Sequence, residues 1–354
     1  NRSTPVLVKD ITGEGSLNNV KQIVAGKSDS IYAIKNDGTI YAWGQNNGSQ
    51  LGDTTIVSKN IPVNIQLENI GNFTNIKEGL SSEINITTGN NSGNSFLYEK
   101  DGSVYALGRN NDGQLGHGDL DDRSFAVQVK GVNNIGYLTG VKSLVSGGTG
   151  ATGAAAFVLK TDGTVFSWGS NNNSILGDGS YASTSTPVQV KGVGNNGYLS
   201  DVVKLESLGE SAYVLKDDGT VYAWGRNVYG QLGNGTIYNE YAPIQVLGVG
   251  GVGYLTGIKE ITPSMYTYAV YALKDDGTVY AWGQNSDGQS GNGTYDQNNT
   301  PVQVKGVGGA GYLTGITKII PTSYSVYALK DDGTVYAWGH NGSGQLGDGT
   351  NVKK

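Results

Sequence analysis

The sequence predicts an all-β protein, a six-bladed β-propeller of four-stranded antiparallel blades, on three observations. A hairpin signature recurs along the chain. Its period closes when the two ends are joined, and nearly every copy carries the same further strand-forming runs. The signature is clearest at residues 330–339 (Lys-Asp-Asp-Gly-Thr-Val-Tyr-Ala-Trp-Gly) and returns nearly letter for letter at 216–225 and 274–283. Looser copies stand at 160–169, 35–44 and 100–108. Two β-prone runs joined by Asp-Gly or a close variant form a hairpin, because Gly and Asx tolerate the positive φ that such turns require.

The turn glycines Gly38, Gly102, Gly163, Gly219, Gly277 and Gly333 are separated by 64, 61, 56, 58 and 56 residues, a mean of 59. From Gly333 to the last residue there are 21, and the 38 up to Gly38 complete one more period. The chain therefore reads as six repeats on a circle, cut inside one of them.

Each hairpin is followed by a turn-rich segment such as 230–236 and then by a proline-led strand, Pro243 to Val246, with counterparts starting at Pro62, Pro187 and Pro301. Ala126 stands in for that proline in the second repeat. Proline suits an edge strand, having no N–H to donate. A further strand, as at 258–262 and 202–205, precedes each hairpin. The last repeat stops before its proline strand, and the missing piece stands at the other end, Thr4-Pro5-Val6-Leu7-Val8. One domain over residues 1–354 follows, its last blade shared by 316–350 and 4–9. That pairing would hide two sheet edges.

Composition agrees and excludes several functions. The chain has 57 Gly and 22 Tyr but only 15% charged residues, with a net charge of −6. No basic run exists to hold phosphates, which argues against nucleic acid. No apolar stretch approaches the ~20 residues that span a membrane. With no cysteine, disulfide and thiolate chemistry are absent. Met265 is the only methionine, so the chain reads as a processed protein or a piece of a longer one. Abundant Asn, Thr, Ser and Tyr with sparse Lys and Arg point to an exported bacterial protein, extracellular or at the cell surface.

The unit 328–350, repeated at 214–236 with valine for the leading alanine, followed by Pro-Val-Gln-Val strands, resembles the regulator of chromosome condensation repeat, in its bacterial branch. The resemblance covers essentially the whole chain and implies a propeller whose blades are staggered against the sequence repeats. Three departures stand out. Familiar members have seven blades. The histidine often found shortly before the apolar run of the second strand is replaced by Ser30, Asn94, Ala155, Ser211, Ala269 and Ser325. The basic tail of the nucleotide-exchange members is missing.

Trp43, Trp168, Trp224, Trp282 and Trp338 share one repeat position, with Leu107 in the second copy. Packing between blades is the expected role, since the family's light-sensing branch keeps its tryptophans in another motif. Three Gly-x-Gly-x-x-Gly matches, at 192–197, 248–253 and 306–311, follow strands but precede no helix. A dinucleotide site needs that helix N-terminus, so these are loops. The Asp pairs 217/218, 275/276 and 331/332 are turn residues spread around a ring. His117 and His340 sit on non-adjacent blades, so no transition-metal site and no cofactor is expected. The Asn/Asp-rich loops at 110–113 and 119–122 lack the regular spacing of a calcium loop. A propeller sialidase would need clustered arginines, and Arg2, Arg109, Arg123 and Arg226 are scattered.

The loops between the first and second strands differ in every repeat and should emerge on one rim. They carry Tyr266, Tyr268 and Tyr324 together with acidic Asp29, Glu83 and Glu210. A rigid ring displaying unlike aromatic loops suits binding of another protein or a glycan. The expected function is thus a non-catalytic interaction module, monomeric unless part of a larger assembly. A structural block, or the receptor-binding part of a surface assembly, toxin or fibre, is the second reading. An enzyme ranks third.

Overall fold

The computed structural model describes residues 3–26, 29–68, 71–72, 85–88, 93–99, 101–147, 154–264 and 267–354. Their strands form six sheets. The chain divides into two compact units. The first comprises residues 1–162, 166–171 and 182–189, and the second residues 163–165, 172–181 and 190–354.

The fourth sheet shows how one repeat folds. Its strands Val202–Leu208, Ser211–Lys216, Val221–Gly225 and Glu240–Gln245 lie in chain order, each antiparallel to the next. Alternation is weak in the two middle strands, Ser211–Lys216 and Val221–Gly225, because they are covered on both faces and almost every residue is buried. The central hairpin closes through a three-residue loop. The Lys216 N–H donates to the Thr220 carbonyl, and Gly219 sits at φ +77°. This is a type I turn followed by a left-handed residue, a longer hairpin than a bare Asp-Gly pair would make. The Asp218 carboxylate accepts the Thr220 N–H at 2.9 Å, so the Asp-Gly-Thr order is a local hydrogen-bonded unit. The corresponding glycines Gly38, Gly102, Gly163, Gly277 and Gly333 all have φ between +78° and +86°.

Pro243 lies inside the outermost strand, where the register slips between Ala223 and Gly225. A bulge on an edge strand needs no N–H there. The first and third sheets repeat this four-stranded order, as does the fifth, while the second gains a short hairpin joined by one parallel bridge, Ala126 to Leu67. No α-helix occurs among the described residues, and the Gly-x-Gly-x-x-Gly segments form single 3₁₀ turns such as Val249–Gly251.

The sixth sheet has three strands, Ile316–Pro321, Ser325–Lys330 and Val335–Gly339. Residues 5–8, the expected fourth strand, carry no strand in the structure. Val6 and Leu7 are exposed, and the Val8 carbonyl accepts the Leu17 N–H at 2.9 Å. Among the described residues, the outer edge of Val335–Gly339 pairs its backbone with Lys354, which exchanges two hydrogen bonds with Gly339 at 2.8 and 3.1 Å.

Consecutive sheets are joined by tryptophan. In the first unit the Trp168 indole N–H donates to the Gln114 carbonyl at 2.9 Å. In the second, Trp224 donates to Ile175, Trp282 to Gln231 and Trp338 to Gln289, at 2.7, 2.8 and 2.7 Å. The buried phenols of Tyr213 and Tyr271 donate to the same Gln231 and Gln289 carbonyls. Burial pushes both phenols well above the usual tyrosine range, so they are neutral donors. Leu107, fully buried, fills the corresponding place in the second sheet, and Trp43 is half-buried.

Candidate interaction site

The expected loop residues converge on one register position. Asp29, Glu210, Tyr268 and Tyr324 each immediately precede the second strand of a sheet. Each offers its carbonyl to the N–H of the residue that follows the glycine ending the third strand: Gln45, Arg226, Gln284 and His340, at 3.0, 2.8, 3.2 and 3.0 Å. That glycine has φ near +100° and no room for a Cβ. At Gly283 one would lie 2.2 Å from the Tyr268 carbonyl oxygen. The sheet therefore holds a paired display: one side chain ahead of the second strand, another just past the third. Glu83 and Tyr266 lie outside the described residues.

In the second unit these positions form connected clusters. The Glu210 carboxylate, almost fully buried, meets the Arg226 guanidinium at 3.0 Å. Arg226 in turn lies over the Tyr268 ring, 5.4 Å from its centroid. Tyr268 stacks on Tyr229 from the preceding repeat, with centroids 4.9 Å apart and planes 24° apart. On the next sheet Tyr324 packs against His340 at 6.0 Å, and Asp287 lies 3.4 Å from His340 Nδ1. Tyr268 holds φ +48°, an uncommon conformation for a bulky residue. Strain of this kind costs of order 1 kcal/mol and persists where the surroundings over-determine it.

Two further groups at this end were not singled out by the sequence reading. Tyr229 and Asp287 occupy the same place in the turn after the third strand, where the Gln two residues on accepts their N–H through its side-chain oxygen. Asn227 is fully buried beneath that turn. Its amide donates to Asn234 and to the Thr236 carbonyl and accepts the Leu232 N–H. Asn46, Asn110, Asn285 and Asn341 do the same elsewhere. The signal was the fixed Trp-Gly-x-Asn spacing. In the 110–122 loop this amide takes the interior, with Asn110 Nδ2 donating to the Asp119 carbonyl at 2.9 Å. No group of three or more His, Asp or Glu able to hold a metal occurs among the described residues. No helix of the structure is long and apolar enough to cross a membrane.

A chain of repeated antiparallel sheets, four of the six four-stranded in the same order and displaying unlike side chains at one end, defines a class of repeat proteins whose unit is a propeller blade. This chain belongs to the regulator of chromosome condensation (RCC1) repeat family: models of that repeat match residues 37–79, 101–154, 162–207, 218–260, 276–319 and 323–345. It is similar to the human E3 ubiquitin-protein ligase HERC2, with 26% identity over 332 residues, 93% of this chain but 6% of the ligase. It is similar also to the Arabidopsis thaliana ultraviolet-B receptor UVR8, with 24% identity over 332 residues, 93% of this chain and 67% of the receptor. Among solved structures, human WBSCR16 superposes with a TM-score of 0.64 at 19% identity, over 95% of this chain and 80% of that one. Prp20p from Saccharomyces cerevisiae does so with 0.61 at 18%, over 94% and 75%.

Proposed function

We propose that the chain is a non-catalytic protein-interaction module of a bacterial exported or surface protein, binding through the end of its sheets that carries Tyr268 and Tyr324. One observation carries the reading: in the second unit Glu210, Arg226, Tyr268 and Tyr229 form one contiguous cluster, and Tyr324 occupies the equivalent position on the next sheet. Tyrosine and arginine are the side chains that most often anchor protein interfaces. Here the stack and the ion pair fix their rotamers in advance, which lowers the ordering cost of binding. The family supports this reading, since Prp20p is described as binding Gsp1p and histones. Export rests on composition, namely abundant Asn, Thr, Ser, Tyr and Gly with sparse lysine and arginine.

The test is affinity capture with immobilised chain, followed by calorimetry on the captured partner. Tyr268→Ala and Tyr324→Ala should each weaken binding by about 2 kcal/mol or more, while substitutions at the hairpin turns Asp218 and Asp276, at the opposite ends of the strands, leave it unchanged. Loss of binding from the turn substitutions alone would place the site at the wrong end. A captured partner indifferent to both sets would favour a structural block over a binding module.

A further inference from the structure

Three successive repeats carry an exposed tyrosine in the turn that leads from the third strand to the fourth. Tyr181, Tyr238 and Tyr295 are 74%, 75% and 51% exposed, and Tyr241, near the start of the strand Glu240–Gln245, is 40% exposed. All four belong to the second unit. A lone surface aromatic is ordinary, but aromatics gathered at one place of a repeating frame mark a binding surface. None of the four belongs to the cluster of Glu210, Arg226, Tyr229 and Tyr268, and the inference does not rest on the function proposed for that cluster.

The turns are rigid, and each is tied to the next repeat. Asn234 Oδ1 accepts the Thr236 N–H at 3.1 Å, Asn292 Oδ1 the Thr294 N–H at 3.0 Å and Asp178 Oδ1 the Ser180 N–H at 3.0 Å. The residue that follows, Ile237, Tyr295 or Tyr181, is thus held on a pinned backbone. The Gly179 N–H donates to the Tyr241 carbonyl at 3.0 Å, and the Gly235 N–H to the Asn299 carbonyl at 2.9 Å. Tyr241 and Asn299 share one register position, each following the residue opposite the glycine that ends the third strand. At the first of these junctions Tyr181 meets Tyr241, with ring centroids 5.7 Å apart and planes tilted by 51°. Exposed amides stand at both junctions: Asn239 Nδ2 donates to Asn173 Oδ1 at 3.0 Å, and Gln297 Nε2 to Asn299 Oδ1 at 2.7 Å. Two carboxylates of these turns are engaged, Asp178 by the Ser180 hydroxyl at 2.9 Å and Glu240 by Asn234 Nδ2 at 3.0 Å.

We propose that Tyr181, Tyr241, Tyr238 and Tyr295 form a binding surface for a neutral polysaccharide of β-linked pyranose units. Such a chain is extended, and each sugar presents a flat face of C–H groups to the electron-rich face of an aromatic ring. Its hydroxyls both donate and accept, as do the amides of Asn173, Asn239, Gln297 and Asn299. Tyrosine orders few torsions on binding, so rings on a fixed backbone contribute area at a low entropic cost. A polysaccharide fits better than a protein partner because the ligand is itself periodic, and the rings are offered once per repeat beside uncharged amides. Lys353 lies over the Tyr295 ring, 4.4 Å from its centroid, which leaves Tyr181 and Tyr241 as the principal platform.

Calorimetric titration of the full chain with cellohexaose and, separately, with N-acetylchitohexaose tests the surface, and the two arms tell a plain glucan from an acetamido one. Binding of at least one sugar is expected. Tyr181→Ala and Tyr241→Ala should each weaken it by about tenfold or more, as loss of an anchoring aromatic does. Tyr181→Phe should hold the affinity within about threefold, because the ring face and not the hydroxyl carries the contact. Tyr254→Ala, which removes an equally exposed tyrosine from the loop ahead of Ile258–Pro263, should change nothing. The circular dichroism spectra and melting temperatures of all four variants should match the wild type, so that a lost affinity reports the surface rather than the fold. Two results overturn the proposal. One is a wild type that binds neither sugar at the highest soluble concentration, including the case in which the tyrosine changes abolish capture of a protein instead. The other is a sugar affinity that Tyr181→Ala and Tyr241→Ala leave unchanged.

Discussion

Replacing Trp282 probes how consecutive sheets are joined. Its side chain is fully buried among Leu232, Val246 and Leu255, and its N–H meets the Gln231 carbonyl at 2.8 Å. Trp282→Ala removes a buried aromatic and leaves a cavity that the flanking sheets cannot close, at a cost of about 3–5 kcal/mol. Trp282→Phe keeps most of the volume and loses only the donor. The Gln231 carbonyl still accepts the Tyr213 hydroxyl at 3.0 Å, so the hydrogen-bond part of the loss should be about 0.5–1.5 kcal/mol. Tyr213→Phe alone should cost a similar amount. Together the two changes strip the buried carbonyl of both side-chain donors. The double variant should therefore exceed the sum of the singles by about 1 kcal/mol or more, as coupled neighbours do. Urea denaturation followed by far-ultraviolet circular dichroism measures the four variants and the wild type. Additivity within about 0.3 kcal/mol would show that the carbonyl is not shared, and a Trp282→Ala variant as stable as wild type would refute the packing role altogether.

Other expectations follow from single positions. Gln289 Nε2 is buried without a hydrogen-bond partner, whereas its counterpart in Gln231 meets Ser211 Oγ at 3.4 Å, and Ala269 stands where Ser211 would be. Ala269→Ser should raise stability by about 0.5–1.5 kcal/mol, and a melting temperature unchanged or lowered would count against it. Hydrogen bonds from the Thr220 and Thr278 side chains, then from their N–H groups, hold the Asp218 and Asp276 carboxyls below the ordinary value of 3.8. A depressed folded-state value gives stability that is present above the unfolded value and lost as the pH falls through the folded one. Asp218→Asn/Asp276→Asn should therefore flatten the acid side of the stability curve below about pH 4, and an unaltered slope would remove the linkage. Tyr268→Asn relieves the left-handed backbone, since Asn tolerates that conformation better than Tyr. It should leave the melting temperature equal or higher while weakening partner binding, and calorimetry showing full affinity would dissociate Tyr268 from the site.

Much of the fold was written in short-range chemistry. The Asp-Gly-Thr turns, the positive φ of Gly219 and its equivalents and the proline strands depend on residues a few positions apart, so each repeat carries its own instructions. The candidate site was legible only as a position. That Asp29, Glu210, Tyr268 and Tyr324 lie ahead of a second strand follows from the repeat. That Arg226 lies over Tyr268 while it holds Glu210, and that Tyr229 stacks on Tyr268, does not, because Tyr268 sits on the repeat after the one that carries Glu210, Arg226 and Tyr229.

The sequence by itself determined the repeat, its hairpin, its strand order and the shared place of the tryptophans, since each is set by local propensity and a fixed period. Only the tertiary structure decided which carbonyl each tryptophan meets, how the buried asparagines wire the turns, and which apolar positions go uncovered. Leu329 and Leu215 carry the same local sequence, yet one is exposed and the other buried. Burial belongs to the neighbour that arrives from the next repeat, and no residue encodes its neighbour alone.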